Sequence, residues 1–284
     1  MSIVASMVSS TPSPFQPSPT HTLFVPGDRP LELRVRGDKV RGAARPLVLH
    51  FHGGAFVSGD LDSGACLAEL LAASGAVVAS LAYPLAPTHK FPEAVEAGYT
   101  AIEWLYKQRT RLAGTGAPLF VAGEEAGGNI AAAVALMVRD RAHPALAGQI
   151  LVSPMLDPCN GTASLRETLG ATTRCKWMDG WREYLRGPMD AEHPYAVPAL
   201  AQRLAGVPPT LILAGGDDPM RDEALAYADR LRDAGIPVTR VLLQAQTGWP
   251  DSLAEPLADD VPPCAALARE HLRSFFQAAA PPAA

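Results

Sequence analysis

The segment Leu119-Phe120-Val121-Ala122-Gly123-Glu124-Glu125-Ala126-Gly127-Gly128-Asn129 carries the strongest chemical signal in the chain. A short apolar run reaches a glycine, two carboxylates follow, and a helical pattern runs from Ile130 to Val138. That order is strand, tight turn, helix. With the spacing Gly123-x-x-x-Gly127 it fits a nucleophile elbow, which holds one side chain at the apex of a strained turn. Glycines flank such an apex because its backbone angles are unfavourable and a neighbouring Cβ would clash. Chemistry at the apex calls for Ser, Cys or Asp, and this chain has Glu125 there. A second glycine turn, His52-Gly53-Gly54-Ala55-Phe56, follows an apolar strand and can expose backbone N–H groups.

Both turns need strands to hold them. Pro46–Phe51 is a continuous apolar run, as expected of a strand buried on both faces. Ala76–Leu81, Gln149–Ser153, Thr210–Ala214 and Val238–Leu243 read as further strands. His21–Val25 and Leu31–Val35 alternate like strands on either side of Pro26-Gly27-Asp28. Helical patterns cover Cys66–Ala73, a long stretch from Phe91-Pro92-Glu93 to about Lys107, Asp222–Ala234 and Cys264–Phe276. Strands alternating with helices imply an α/β fold with a mainly parallel central sheet and helices on both faces. Residues 1–20, rich in Ser, Thr and Pro, are expected to be a flexible tail, and 21–284 one domain. Residues 156–195 are irregular, with a short helical piece at Met178–Leu185, and suit a cap-like insertion.

Composition narrows the functional classes. The chain has 284 residues, 48% of them hydrophobic, enough for one large core. A net charge of −5 without a basic block argues against nucleic acid or an anionic membrane surface as partner. No apolar run approaches the ~20 residues of a spanning helix. The first ten residues lack a basic n-region, so a cytoplasmic location is expected. Cys66, Cys159, Cys175 and Cys264 are too far apart for a metal-type pair; free thiols, no metal and no cofactor are expected.

Four motifs then occur in a telling order. They are His52-Gly53-Gly54-Ala55-Phe56 with Gly59-Asp60, Tyr83-Pro84-Leu85-Ala86-Pro87-Thr88-His89-Lys90-Phe91-Pro92, Gly123 to Asn129, and Asp218-Pro219-Met220-Arg221-Asp222-Glu223. With these the chain resembles the hormone-sensitive-lipase-type group of α/β-hydrolases, the bacterial esterases with an H-G-G-G oxyanion loop. The resemblance runs from about residue 22 to the C-terminus and implies the α/β-hydrolase fold. It places the family's nucleophile on Glu125, its triad acid on Asp218 and its histidine on Thr247, within Gln246-Thr247-Gly248-Trp249. It makes the loop of Gly53, Gly54 and Ala55, with Ala126, the oxyanion hole; Ala55, in place of the family's third glycine, should be tolerated if its φ is negative. Family members place cap helices at the N-terminus, and residues 1–20 show no helical period, so a reduced cap is expected. Glu124 should support the elbow from below, while His52 and Tyr83 pin the nearby loops and His89 joins that network. Phe56, Trp177 and Trp249 either line a pocket or simply pack.

Ester hydrolysis by the family's route needs a serine to attack and a histidine to carry the proton. Glu125 and Thr247 supply neither. His193 and His271 are the histidines beyond the cap start, and nothing in their spacing requires them at the site. The leading expectation is therefore a pseudoenzyme that binds a small, largely apolar ester- or acid-like ligand. One alternative is a hydrolase with residual or carboxylate-based chemistry at Glu125 and Asp218. Another is an interaction protein with an idle pocket, using its surface or a homodimer edge. Two geometric expectations follow. The Glu125 carboxylate should fold into the oxyanion donors. Glu125 and Asp218 either face each other as a coupled pair or are separated by water or Arg221.

Overall fold

The computed structural model describes residues 18–159, 161–169, 175–244 and 263–279. Among them, eight strands form one sheet. They are β1 (Thr20–Val25), β2 (Leu31–Arg36), β3 (Leu47–Phe51), β4 (Val77–Leu81), β5 (Leu119–Glu124), β6 (Gly148–Val152), β7 (Thr210–Gly215) and β8 (Val238–Leu243). The order across the sheet is β1-β2-β4-β3-β5-β6-β7-β8. β2 runs antiparallel to both β1 and β4, and all other neighbours are parallel.

Every residue of β3, β4, β5, β6 and β7 is buried. This is the signature of strands covered on both faces, and alternation divides their side chains between two cores. Leu47, Leu49 and Phe51 join one apolar cluster, and Val48 joins the other. The larger cluster takes in α2 (Glu93–Leu112), α3 (Ala126–Arg141) and α7 (Arg221–Asp233). The smaller one takes in α1 (Ala65–Ala73) and α8 (Pro263–Ala278). The insertion after β6 carries three short helices, α4 (Ala163–Leu169), α5 (Lys176–Tyr184) and α6 (Pro188–Ala191).

The sheet order positions the site. From β3 the chain first adds β4 on one side and later β5 on the other. Ligand crevices in open α/β sheets form beyond the carboxyl ends of strands at such a switch point. Phe51 of β3 is in register with Gly123 of β5, so the loop after Phe51 and the turn after Glu124 emerge side by side.

Several expectations change at this level. Thr20 already belongs to β1, and Ser18 donates from its N–H and its Oγ to Glu69 Oε1 at 3.1 and 2.7 Å. Residues 18–20 are thus tied to the domain, because strand pairing and a carboxylate acceptor outweigh their tail-like composition. The part of the expected tail at 1–17 lies outside the described residues, as do Thr247 and Trp249. The helical piece of the insertion starts two residues earlier than Met178, because the Cys175 thiol accepts from Met178 N–H and caps it.

Candidate active site

Glu125 stands between β5 and α3 with φ 54° and ψ −118°, a conformation that side chains rarely adopt. The surroundings over-determine it. Its N–H donates to Val152 O, and its carbonyl accepts from Asn129 and Met155 N–H, at 3.0 to 3.3 Å. A Cβ on Gly127 would lie 2.1 Å from Phe51 O and 2.4 Å from His52 O. Only a glycine lets the start of α3 pass this close to the end of β3.

The strained turn aims the Glu125 side chain at the glycine loop. Oε2 accepts from Gly54 N–H at 2.5 Å and from Ala55 N–H at 3.2 Å. Oε1 accepts from the indole Nε1 of Trp177 at 2.5 Å, and Lys176 Nζ is 3.9 Å from the same oxygen. The carboxylate is therefore enclosed, and the residue is only 6% exposed. Hydrogen bonds to a charged acceptor stabilise by about 1.5–3 kcal/mol each, which offsets much of the cost of burying the charge. Ala126 opens α3, so its amide is among the first N–H groups of the helix, which have no intrahelical acceptor.

Two of the loop expectations are corrected. Gly53 N–H donates not to Glu125 but to Glu124 Oε1, at 3.1 Å, because Glu124, at the end of β5, reaches the same glycine. Ala55 has φ +49° and Phe56 φ +67°, so alanine is accommodated there without the negative φ set as the condition for it. Tight contacts hold these angles. Ala86 N–H donates to Phe56 O, the Phe56 ring stacks on Tyr184 at 4.0 Å, and α5 presses on the loop from above. A Cβ on Gly180 would lie 2.2 Å from Ala55 O, so this glycine seats the helix.

Beneath the loop lies a buried polar network. Glu124 Oε2 contacts His50 Nε2 at 2.8 Å, and His50 Nδ1 contacts Ser80 Oγ at 3.0 Å. Tyr83 hydroxyl donates to His52 O at 2.8 Å, and the two rings stack at 4.3 Å. Burial lowers the His52 pKa and raises that of Tyr83, so both stay neutral near pH 7. His89 is not in this network; it pairs with Glu93 at 2.7 Å on the exposed side of α2. His193 is exposed and packs against Phe91 and Tyr195, and His271 lies on α8.

Asp218 is fully buried and has donors of its own. Ser153 Oγ–H donates to its Oδ2, Met220 N–H to Oδ1 at 2.8 Å and Gly215 N–H to Oδ2 at 3.4 Å. Burial nevertheless pushes its pKa up to about 6. Among the described residues, Glu125 and Asp218 share no hydrogen-bond donor; each carboxylate has its own set. Arg221 does not bridge them either; it turns to Gly216 O, Asp222 and Glu167. Ser153, His50 and Lys176 escape the reading from sequence. Ser153 follows β6 directly with φ +44°, a strain that a sequence does not display.

Among the described residues, no group of three or more His, Cys, Asp or Glu side chains could hold a metal ion. No helix among them is long and apolar enough to cross a membrane.

Known proteins share this architecture. A family model described as the alpha/beta hydrolase fold matches residues 48–247. Esterase LipI of Mycobacterium tuberculosis is 36% identical over 201 residues, covering 69% of this chain and 62% of that protein. The gibberellin receptor GID1 of Oryza sativa is 34% identical over 203 residues, covering 67% of this chain and 56% of the receptor. The chain thus spans less than two thirds of either relative. A thermostable esterase from Pseudomonas putida ECU1011 superposes with a TM-score of 0.80 at 29% identity, covering 92% of this chain and 84% of that one.

Proposed function

The chain belongs to the hormone-sensitive-lipase-type α/β-hydrolase family, and from that premise we propose that it is a non-hydrolytic member that binds a small ligand in the esterase pocket. One observation carries this reading. Glu125 Oε2 sits on the N–H groups of Gly54 and Ala55, the donors that an esterase of this family reserves for developing negative charge. An acyl substrate needs those donors empty and a nucleophile at the apex. Here the apex residue is itself the anion that fills them.

Supporting details agree. None of the histidines in the described residues contacts Glu125. The acid Asp218 accepts from the Ser153 hydroxyl and, among the described residues, from no histidine. Loss of triad members ordinarily removes several orders of magnitude of rate. The likeness to a protein named as a gibberellin receptor lends weight to ligand binding as a use for this scaffold.

The reading is tested with a fluorophosphonate probe and a restored site. The intact protein should not be labelled. Glu125→Ser combined with Thr247→His should be labelled and should cleave short p-nitrophenyl esters. Labelling of the intact protein at a residue in this pocket would overturn the proposal.

A further inference from the structure

The far end of α3, about 20 Å along the helix from Glu125 at about 1.5 Å per residue, carries a second concave region. A cleft of about 950 Å³ opens there between α3 and the segment joining α6 to β7, with Glu192, Leu200, Gln202 and Arg203 among its lining residues. Its frame is fixed. Arg139 Nη1 donates to Arg203 O at 2.5 Å, and Arg230 Nη2 donates to Ala201 O at 2.6 Å. Arg139 also pairs with Asp140, whose other oxygen accepts from the Tyr195 hydroxyl at 2.8 Å. The side chains of Glu192, Gln202 and Arg203 differ from these: they are exposed and, among the described residues, make no hydrogen bond or ion pair. A smaller cleft of about 260 Å³ shares Arg139 and Gly206 with the first, and Val138, Pro144, Leu146 and Pro208 make its walls apolar. Gly206, at φ +82°, keeps the passage between them open, since a Cβ there would touch the Arg139 side chain at 3.4 Å.

We infer that this double cleft is a binding site for a free α-amino acid with an apolar side chain. The unpaired Arg203 guanidinium takes the carboxylate, and the unpaired Glu192 carboxylate takes the ammonium group. Gln202 offers an amide to either head group, and the apolar side chain passes Gly206 into the smaller cleft. Asp140 does not compete for the ammonium group, because Arg139 and Tyr195 already occupy its oxygens. A fatty acid would leave Glu192 without a partner, and an alkylamine would leave Arg203 without one, so the zwitterion alone uses both charges. Each of these solvated pairs is modest by itself, and burial of the apolar side chain adds to them. The site is separate from the elbow, so it does not depend on whether Glu125 takes part in any chemistry.

The test is an NMR shift titration of the isotope-labelled full chain with L-leucine, N-acetyl-L-leucine, L-leucinamide and L-alanine. The first analogue lacks the ammonium group, the second lacks the carboxylate, and alanine lacks the tail. The intact protein should bind leucine at least about threefold more tightly than each of the three, with shifts at the amides of Gln202 and Arg203. Arg203→Gln should erase the preference over leucinamide and keep the preference over N-acetyl-leucine. Glu192→Gln should do the reverse. Both are exposed positions, where substitution leaves the fold intact. No saturable shift up to about 10 mM leucine would overturn the inference. So would equal affinity for leucine and its analogues, or preferences that neither variant alters.

Discussion

Trp177 Nε1–H donates to Glu125 Oε1 at 2.5 Å across 52 residues of chain. This bond joins the elbow after β5 to the insertion after β6, and the other oxygen of the same carboxylate holds the loop after β3. One side chain thereby bolts together three segments that meet at the elbow.

Trp177→Phe keeps an aromatic ring but deletes the donor together with the five-membered ring of a buried indole. A hydrogen bond to a charged group contributes about 1.5–3 kcal/mol, so urea unfolding should show a loss of that size. Amides of α5 should also exchange faster, because the helix loses its polar tie to the elbow. A stability change under about 0.5 kcal/mol would contradict the bond.

Gly180→Ala should displace α5. The new Cβ would meet Ala55 O at 2.2 Å, which is backbone and cannot rotate away. Overpacking of this kind costs about 1–3 kcal/mol, readable as a lowered Tm. An unchanged Tm would show that helix and loop are not in register contact.

Glu124→Ala should be more damaging than its neighbour's position suggests. It removes the acceptor of the part-buried Gly53 N–H and the partner of the fully buried His50 Nε2. Two orphaned groups cost roughly 2–6 kcal/mol together. Equilibrium unfolding checks this, and Glu124→Gln should recover part of the loss by keeping one acceptor.

Asp218 sets a pH dependence. Its folded pKa is raised by burial from 3.8 to about 6, so the folded chain binds the proton more tightly than the unfolded chain. The associated stability is present below pH ~4 and disappears as pH climbs through ~6. A pKa difference of that size between the folded and unfolded chain corresponds to ~3 kcal/mol. The difference in unfolding free energy between the intact protein and Asp218→Asn should fall by that order between pH 4 and 7. A difference that rises with pH would contradict the assignment.

Much of this arrangement is legible in the residues. The glycines around Glu125 announce the strained turn, because little else fits where α3 crosses the end of β3. The apolar runs from Leu47 and Leu119 announce buried parallel strands. What lies hidden is long-range pairing. Nothing local in Lys176-Trp177-Met178 tells that the indole faces Glu125, since that depends on Gly180 letting α5 sit on Ala55. Ser153 reads as the end of a strand, yet it takes up Asp218, because its positive φ turns the hydroxyl inward. His89 lies in a loop motif beside the site but is claimed by Glu93 one helical turn away. Contacts set by tertiary packing leave no periodic trace in the sequence.

With a carboxylate in place of an attacking hydroxyl at the apex, the site has no nucleophile for ester cleavage, and steady-state turnover of p-nitrophenyl acetate tests this most directly. The account predicts that the intact protein and Glu125→Ala release p-nitrophenol at the same background rate. Saturable turnover by the intact protein that vanishes in Glu125→Ala would contradict it.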